Sequence, residues 1–150
     1  MGYCREAARS VVSRHHVTGP PVDVQAIAAA DGYLVRYGPL GDIEGRMRQL
    51  GGQWLIELNQ DRHVNSQRFT IAHEVGHLVM GHQGCGTSTV EERQANLFAA
   101  ELLMPLSMLR TALKKTRRLG ELAGLFMVSK EAMQYKLNEH GLLLRLTSFD

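Results

Sequence analysis

The spacing of apolar residues predicts two helices in the first thirty positions. Residues 3–15 place an apolar side chain at every third or fourth position, which aligns these side chains on one helical face. That face consists of Ala7, Ala8, Val11 and Val12. After the break at Gly19-Pro20-Pro21, Asp23 is suited to cap a second helix that continues through Ala30.

A change to β-rich runs predicts a small sheet in the next part of the chain. Residues 33–37, 44–50 and 53–58 are the predicted strands, and Gly51-Gly52 between the last two is typical of a two-residue hairpin turn. We expect all three strands to pair in an antiparallel sheet packed on helices, which indicates the α+β class.

Helical spacing then returns in two longer segments. The first is expected to begin with Asn65 or Ser66 as its N-cap and to end at Gly81. The second runs over residues 90–104 until Pro105 stops it, because proline cannot continue a helix.

The last third of the chain predicts a helical tail. Residues 119–137 indicate a helix, a short turn and another helix with Ser129 as its cap, which is the outline of a helix-turn-helix. We therefore divide the chain into a core, residues 1–106, and a helix-turn-helix-like tail, residues 107–150, that packs on the core.

Composition adds general limits. A chain of 150 residues with 44% hydrophobic and 21% charged residues suits one small globular unit, and a net charge of +2 favours no partner class. No apolar run reaches the 18 residues of a membrane span, and the N-terminus has no hydrophobic signal core, so we expect a cytoplasmic protein with no membrane partner. Two cysteines, Cys4 and Cys85, form no disulfide framework, and Cys85 is expected to be a free thiol.

The sequence His73-Glu74-Val75-Gly76-His77 carries the strongest chemical signal. Histidines four residues apart on a helix lie one turn apart on the same face, so both imidazoles can bind one Zn²⁺. Glu74 would then lie beside the metal as a general base for water. The alternative is an amphipathic helix with two surface histidines.

A catalytic zinc needs a third protein ligand, and several residues are available for it. The pattern in which a third histidine follows is excluded, because Met80 and Gln83 occupy its glycine and histidine positions. Glu92 is our choice, since Asn96 four residues later shares its helical face and can accept a hydrogen bond from a ligand histidine.

Other residues compete with Glu92 for this role. Glu101 lies half a rotation away on the same helix, so only one of the two can face the metal. Glu91 and His82 are further candidates, and His82 is expected at the surface or behind a ligand. Glu92 itself could instead be a solvated carboxylate in the first helical turn.

Two segments together resemble a known family. Residues 68–77, R-F-T-I-A-H-E-V-G-H, and 92–105, E-R-Q-A-N-x-F-A-A-E-L-L-M-P, are similar to the ImmA/IrrE-type metallopeptidases, zinc peptidases of the gluzincin class. The resemblance covers about residues 20–145 and implies a zincin-like fold. It implies His73, His77 and Glu92 as Zn²⁺ ligands and Glu74 as general base. It also implies a protein substrate, a helix-turn-helix transcriptional repressor that is cut or inactivated.

The hypothesis of a peptidase includes a mechanism and a place for substrate. Zn²⁺ would lower the pKa of bound water and polarise the scissile carbonyl, while Glu74 takes the proton and returns it to the leaving amine. The strand from Trp54 to Leu58 is the expected sheet edge for an extended substrate, although an internal strand is the alternative. The sequence selects no oxyanion-stabilising residue among Tyr37, His63 and His140.

The tail supports a rival hypothesis, a DNA-binding or scaffolding protein with a structural or degenerate metal site. Lys130, Gln134 and Tyr135 would face a major groove if the tail bound DNA. Five basic residues precede them: Arg110, Lys114, Lys115, Arg117 and Arg118. Met127 stands where a turn glycine is usual, and acidic residues dilute the positive charge, so we favour a packing element over a DNA reader.

Overall fold

Helices and a three-stranded sheet make up the described part of the chain, which covers residues 2–82 and 88–150 of a computed structural model. The elements in chain order are α1 (Gly2–Arg14), α2 (Val24–Ala30), β1 (Leu34–Gly38), β2 (Gly45–Leu50), β3 (Gln53–Asn59), α3 (Val64–Val79), α4 (Thr89–Leu103), α5 (Leu106–Leu113), α6 (Leu119–Phe126), α7 (Lys130–Glu139) and a 3₁₀ turn (Leu143–Arg145). The predicted α+β class is confirmed. Each described helix is too short or too polar to span a bilayer.

The sheet differs from the predicted one. Its order is β1-β3-β2, with β2 antiparallel and β1 parallel to β3, so the prediction of a wholly antiparallel sheet was wrong. A short connection makes β1 and β2 run in opposite directions, and β3 lies between them because Leu55, Ile56 and Leu58 are fully buried. The strand expected at the edge is therefore the central one, and β1 and β2 are the edges.

The helix ends follow from side chains that satisfy free backbone groups. Asp23 caps α2 by accepting from the N–H of Ala26, and Ser129 caps α7, as predicted. The cap of α3 is His63, whose Nδ1 accepts from the N–H of Asn65. The prediction of Asn65 or Ser66 as the cap was wrong because α3 begins earlier, at Val64.

The close packing of α3 on α4 positions the site. At Gly76 a Cβ atom would lie 2.8 Å from the ring of Phe98, so only glycine allows the two helices to approach this closely. Gly76 directly precedes His77, and the contact therefore brings the α4 side chains to the two histidines of α3.

The tail contacts the rest of the chain through polar and apolar groups. The guanidinium of Arg68 on α3 donates to the carbonyls of Phe126, the last residue of α6, and Met127, which follows it. Met127 adopts a left-handed conformation, φ 54°, at the position where glycine is usual. Apolar residues on both sides of the proposed boundary pack in one core. The division into residues 1–106 and 107–150 stays a prediction.

Candidate metal centre and active site

Three side chains from two helices converge at one point. His73 and His77 lie one turn apart on α3, and their Nε2 atoms are 3.1 Å apart. From α4, the carboxylate of Glu92 places Oε2 2.8 Å from Nε2 of His73 and Oε1 3.2 Å from Nε2 of His77. The structure thus brings together the three residues that the sequence suggested as metal ligands.

The chemistry of these atoms fits a divalent cation. Two imidazole nitrogens and a carboxylate oxygen are the donor types of catalytic zinc sites, which keep a fourth position for water. Ligand atoms bound tetrahedrally at about 2.0–2.1 Å lie roughly 3.3 Å from one another. The observed separations of 2.8–3.2 Å are close to that value, so a cation can be accommodated with small adjustments.

Each histidine has a hydrogen-bond partner behind it. Nδ1 of His73 donates to Oδ1 of Asn96 at 2.8 Å, the arrangement that the sequence suggested. Nδ1 of His77 lies 3.0 Å from Nδ1 of His82. With His77 as the donor in that bond, both Nε2 atoms keep a lone pair for the cluster.

His82 lies behind a candidate ligand and not at the surface, the two positions that the sequence allows for it. His82 is only 7% exposed, and its backbone N–H donates to the carbonyl of His77. Gly81, at φ 75°, turns the chain back after the helix and so directs His82 toward His77. The sequence signal for this position was a histidine directly after Gly81, the glycine that ends α3.

Burial shifts the pKa values of two residues at this site, Glu74 and His77. Burial raises the pKa of Glu74, the charge of Glu92 raises it further, and His73 opposes the shift. Burial lowers the pKa of His77, with His73 acting in the same direction and Glu92 opposing. Glu74 therefore holds a proton more readily than an ordinary carboxylate, and His77 favours its neutral form, the form that binds metals.

The two rival glutamates on α4 have other partners. Glu91 belongs to a capping box in which Ser88 accepts from its N–H and its carboxylate accepts from the N–H of Ser88. Glu101 is buried and pairs with Lys136 at 2.5 Å. Both residues serve the helix and its packing, whereas Glu92 faces the histidines.

The remaining candidates lie elsewhere or outside the described residues. The hydroxyl of Tyr37 on β1 donates to Gln25, and His63 caps α3. His140 follows the last turn of α7. These contacts single out no oxyanion-stabilising residue among the three. Cys85, expected to be a free thiol, lies outside the described residues.

The fold and the site define a small α+β protein whose helices offer two histidines and a carboxylate to a cation. Residues 28–138 match the family model of the IrrE N-terminal-like domain, which is a peptidase family. The chain belongs to this family of ImmA/IrrE-type metallopeptidases.

Known proteins that are similar to the chain include a metallopeptidase and a transcriptional regulator of solved structure. The metallopeptidase ImmA of Bacillus subtilis (strain 168) is 31% identical over 133 residues, which cover 79% of this chain and 73% of that protein. A solved structure of a Mycobacterium tuberculosis transcriptional regulator matches 92% of this chain with a TM-score of 0.71 and 16% identity. The chain spans 47% of that solved chain, and at this identity the likeness concerns the fold alone.

Proposed function

We propose that the chain is a zinc-dependent endopeptidase of zincin-like fold. His73, His77 and Glu92 hold the metal, and Glu74 is the general base. The observation that carries the proposal is the convergence of three donor atoms at separations of 2.8–3.2 Å, from two helices that Gly76 allows to pack closely. When bound, Zn²⁺ would polarise the scissile carbonyl of the substrate and lower the pKa of a bound water molecule.

The protein's own residues perform the proton transfers. Glu74 takes a proton from the attacking water and delivers it to the nitrogen of the leaving amine. Its raised pKa, caused by burial and by Glu92, suits a group that must both accept and release a proton near neutral pH. Asn96 and His82 hold the two imidazoles in the required tautomer and orientation.

The position of β2 suggests how an extended substrate binds. The helix α3 packs against β3 and β2, and a Cβ at Gly45 would meet the side chain of Thr70 on α3. As an edge strand, β2 has backbone groups available for an added strand. We therefore assign the substrate-pairing role to β2 in place of β3.

The proposed substrate is a helix-turn-helix transcriptional repressor, as the family resemblance implies. The test is to incubate the zinc-loaded chain with such a repressor and to identify fragments by mass spectrometry. Glu74→Gln should lower the rate by about 10²–10⁴-fold because the base is lost, while zinc content stays unchanged. Glu6→Gln, an exposed glutamate on α1, is the matched control and should cleave normally.

Two outcomes would refute the peptidase. One is wild-type protein that binds no zinc; the other is cleavage that survives Glu74→Gln. Salt-dependent binding of duplex DNA without repressor cleavage would favour the DNA-binding alternative.

A further inference from the structure

A trough of about 870 Å³ lies between α4 and α7 and opens beside the cluster of His73, His77 and Glu92. Glu92 and Asn96 form its end at the cluster. We call it the α4–α7 trough. Its volume is within the range of pockets that bind ligands.

The floor of the α4–α7 trough is apolar. It is formed by Phe69, Leu97, Ala100 and Met104. Phe69 precedes His73 by one turn on the same face of α3, so the floor begins directly next to the cluster. Met104 is fully buried at the base. The floor favours an apolar side chain, because a charge placed on it would lose water without gaining a partner there, although Arg5, Arg93, Glu131 and Glu139 also line the trough.

The opposite wall belongs to the tail. Ala132 and Tyr135 of α7 face the trough, and two ion pairs hold α7 in place. Lys136 pairs with Glu101 of α4, and Glu139 pairs with Arg5 of α1 at 3.1 Å. Tyr135, which the sequence suggested for DNA contact, thus lines a cavity that leads to the cluster of His73, His77 and Glu92.

We propose that the α4–α7 trough is a specificity subsite, which binds a bulky apolar side chain of the peptide substrate next to the scissile bond. The inference rests on the proposed function. The trough is continuous with the residues that would hold the metal, so a peptide positioned for cleavage has one flank over the apolar floor. The peptide backbone then stays at the polar rim, where Arg93 and Glu131 stand on opposite walls.

The first test measures the side-chain preference of the trough. N-acetylphenylalanine amide and N-acetylglycine amide are titrated into ¹⁵N-labelled, zinc-supplemented protein that comprises residues 1–150. The phenylalanine probe should shift the amide signals of Leu97, Ala100 and Ala132 at concentrations at least about tenfold lower, since it buries an aromatic ring. Ala132→Phe, which fills the trough, should abolish these shifts.

A matched control separates filling from general damage. Ala29→Phe makes the same change on an exposed face of α2 and should bind the phenylalanine probe as the wild type does. If Ala132→Phe fails to fold, Ala100→Leu narrows the trough by a smaller step and should weaken the probe at least threefold. Trough signals that do not respond to the phenylalanine probe would overturn the inference, whether or not the protein cleaves a substrate.

The second test connects the trough to the metal. Phenylalanine hydroxamate should bind the zinc-loaded chain at least about tenfold more tightly than glycine hydroxamate, and Ala132→Phe should reduce that preference below threefold. An equal preference in Ala132→Phe and wild type would refute the subsite alone. Amide shifts without any zinc-dependent hydroxamate binding would refute the proposed function and, with it, the assignment of the trough to substrate.

Discussion

Two of the three glutamates on α4 have opposite surroundings. The side chain of Glu92, near the start of the helix, is 46% exposed and faces two imidazoles. The side chain of Glu101, near its end, is 1% exposed and forms an ion pair with the ammonium of Lys136. A buried carboxylate stays charged only if it is paired, and Glu101 satisfies this condition within the chain. The carboxylate of Glu92 faces further electron-pair donors, an arrangement that a shared cation stabilises. The partners and the exposure of the two side chains therefore distinguish a glutamate that stabilises the fold, Glu101, from one that is available to a cation, Glu92.

The surroundings of Glu101 explain why it serves the fold. Besides Lys136, its carboxylate accepts from the N–H of Leu106 at 3.1 Å and lies 3.5 Å from Arg9. One side chain therefore connects α4 with α1, α5 and α7. Burial lowers the pKa of Lys136, while its hydrogen bond to Glu101 opposes that shift.

Removing the charge of Glu101 should have the largest effect on the stability of the fold. Glu101→Gln leaves Lys136 buried without its counter-charge, so we expect the free energy of unfolding to fall by about 3–5 kcal/mol. Chemical denaturation of the metal-free protein measures this loss. Zinc affinity of the fraction that folds should be unchanged.

The double variant Glu101→Leu with Lys136→Met is the control for this prediction. Replacing both charges with apolar groups should recover most of the stability, because no buried charge remains. A double variant as unstable as Glu101→Gln would show that packing, and not the charge pair, is what Glu101 contributes.

Removing the charge of Glu92 should lower the affinity for zinc more than the stability of the fold. Glu92→Gln removes one proposed ligand, and we expect zinc affinity to fall by more than about 100-fold, since even residues behind the ligands contribute 10–100-fold. Unfolding with zinc absent should change little. Saturating zinc should stabilise the wild type by about 2.7 kcal/mol at a hundred times its Kd, and the variant far less. Equal stabilisation of both proteins would contradict the role of Glu92.

The two ends of α4 also differ in how far the sequence predicts them. Spacing alone places His73 and His77 on one face, and the glutamate–asparagine pair four residues apart indicates the Glu92 face. Helix geometry allows only one of Glu92 and Glu101 to face the metal, but the partner of Glu101, Lys136, lies 35 residues away, and no local rule predicts such a contact. Long-range pairing depends on how the tail packs.

The sheet shows the same limit. The hairpin of β2 and β3 follows from Gly51-Gly52, because the turn is local. The place of β1 beside β3 is a long-range choice, decided by burial of the most apolar strand in the centre, and the predicted antiparallel order was therefore wrong.

Removing the partners behind the histidines should have a smaller effect than removing Glu92. Asn96→Ala and His82→Phe should each weaken zinc binding by about 10–100-fold, because the imidazoles lose the groups that orient them. Competition with a chelator of known affinity measures this change. Asn138→Ala, an exposed amide on α7, is the matched control and should bind zinc normally. A variant of either partner with wild-type affinity would assign that hydrogen bond to packing.

The smallest expected effect is a pH dependence to which His77, beside Glu92, contributes. Because burial lowers the pKa of His77 in the folded state, the unfolded chain takes up a proton at this position first as the pH falls. The unfolding free energy of the metal-free wild type should therefore decline as the pH decreases below about 6.5, the ordinary value for histidine, until the lower folded pKa is passed. His77→Gln should reduce the slope in this window, and the remaining slope belongs to His140, whose pKa burial also lowers. The Glu101→Leu, Lys136→Met double variant should keep the contribution of His77, since neither residue is among the groups that shift the pKa of this imidazole. A slope in His77→Gln that equals the wild-type slope would show that His77 does not contribute to the pH dependence.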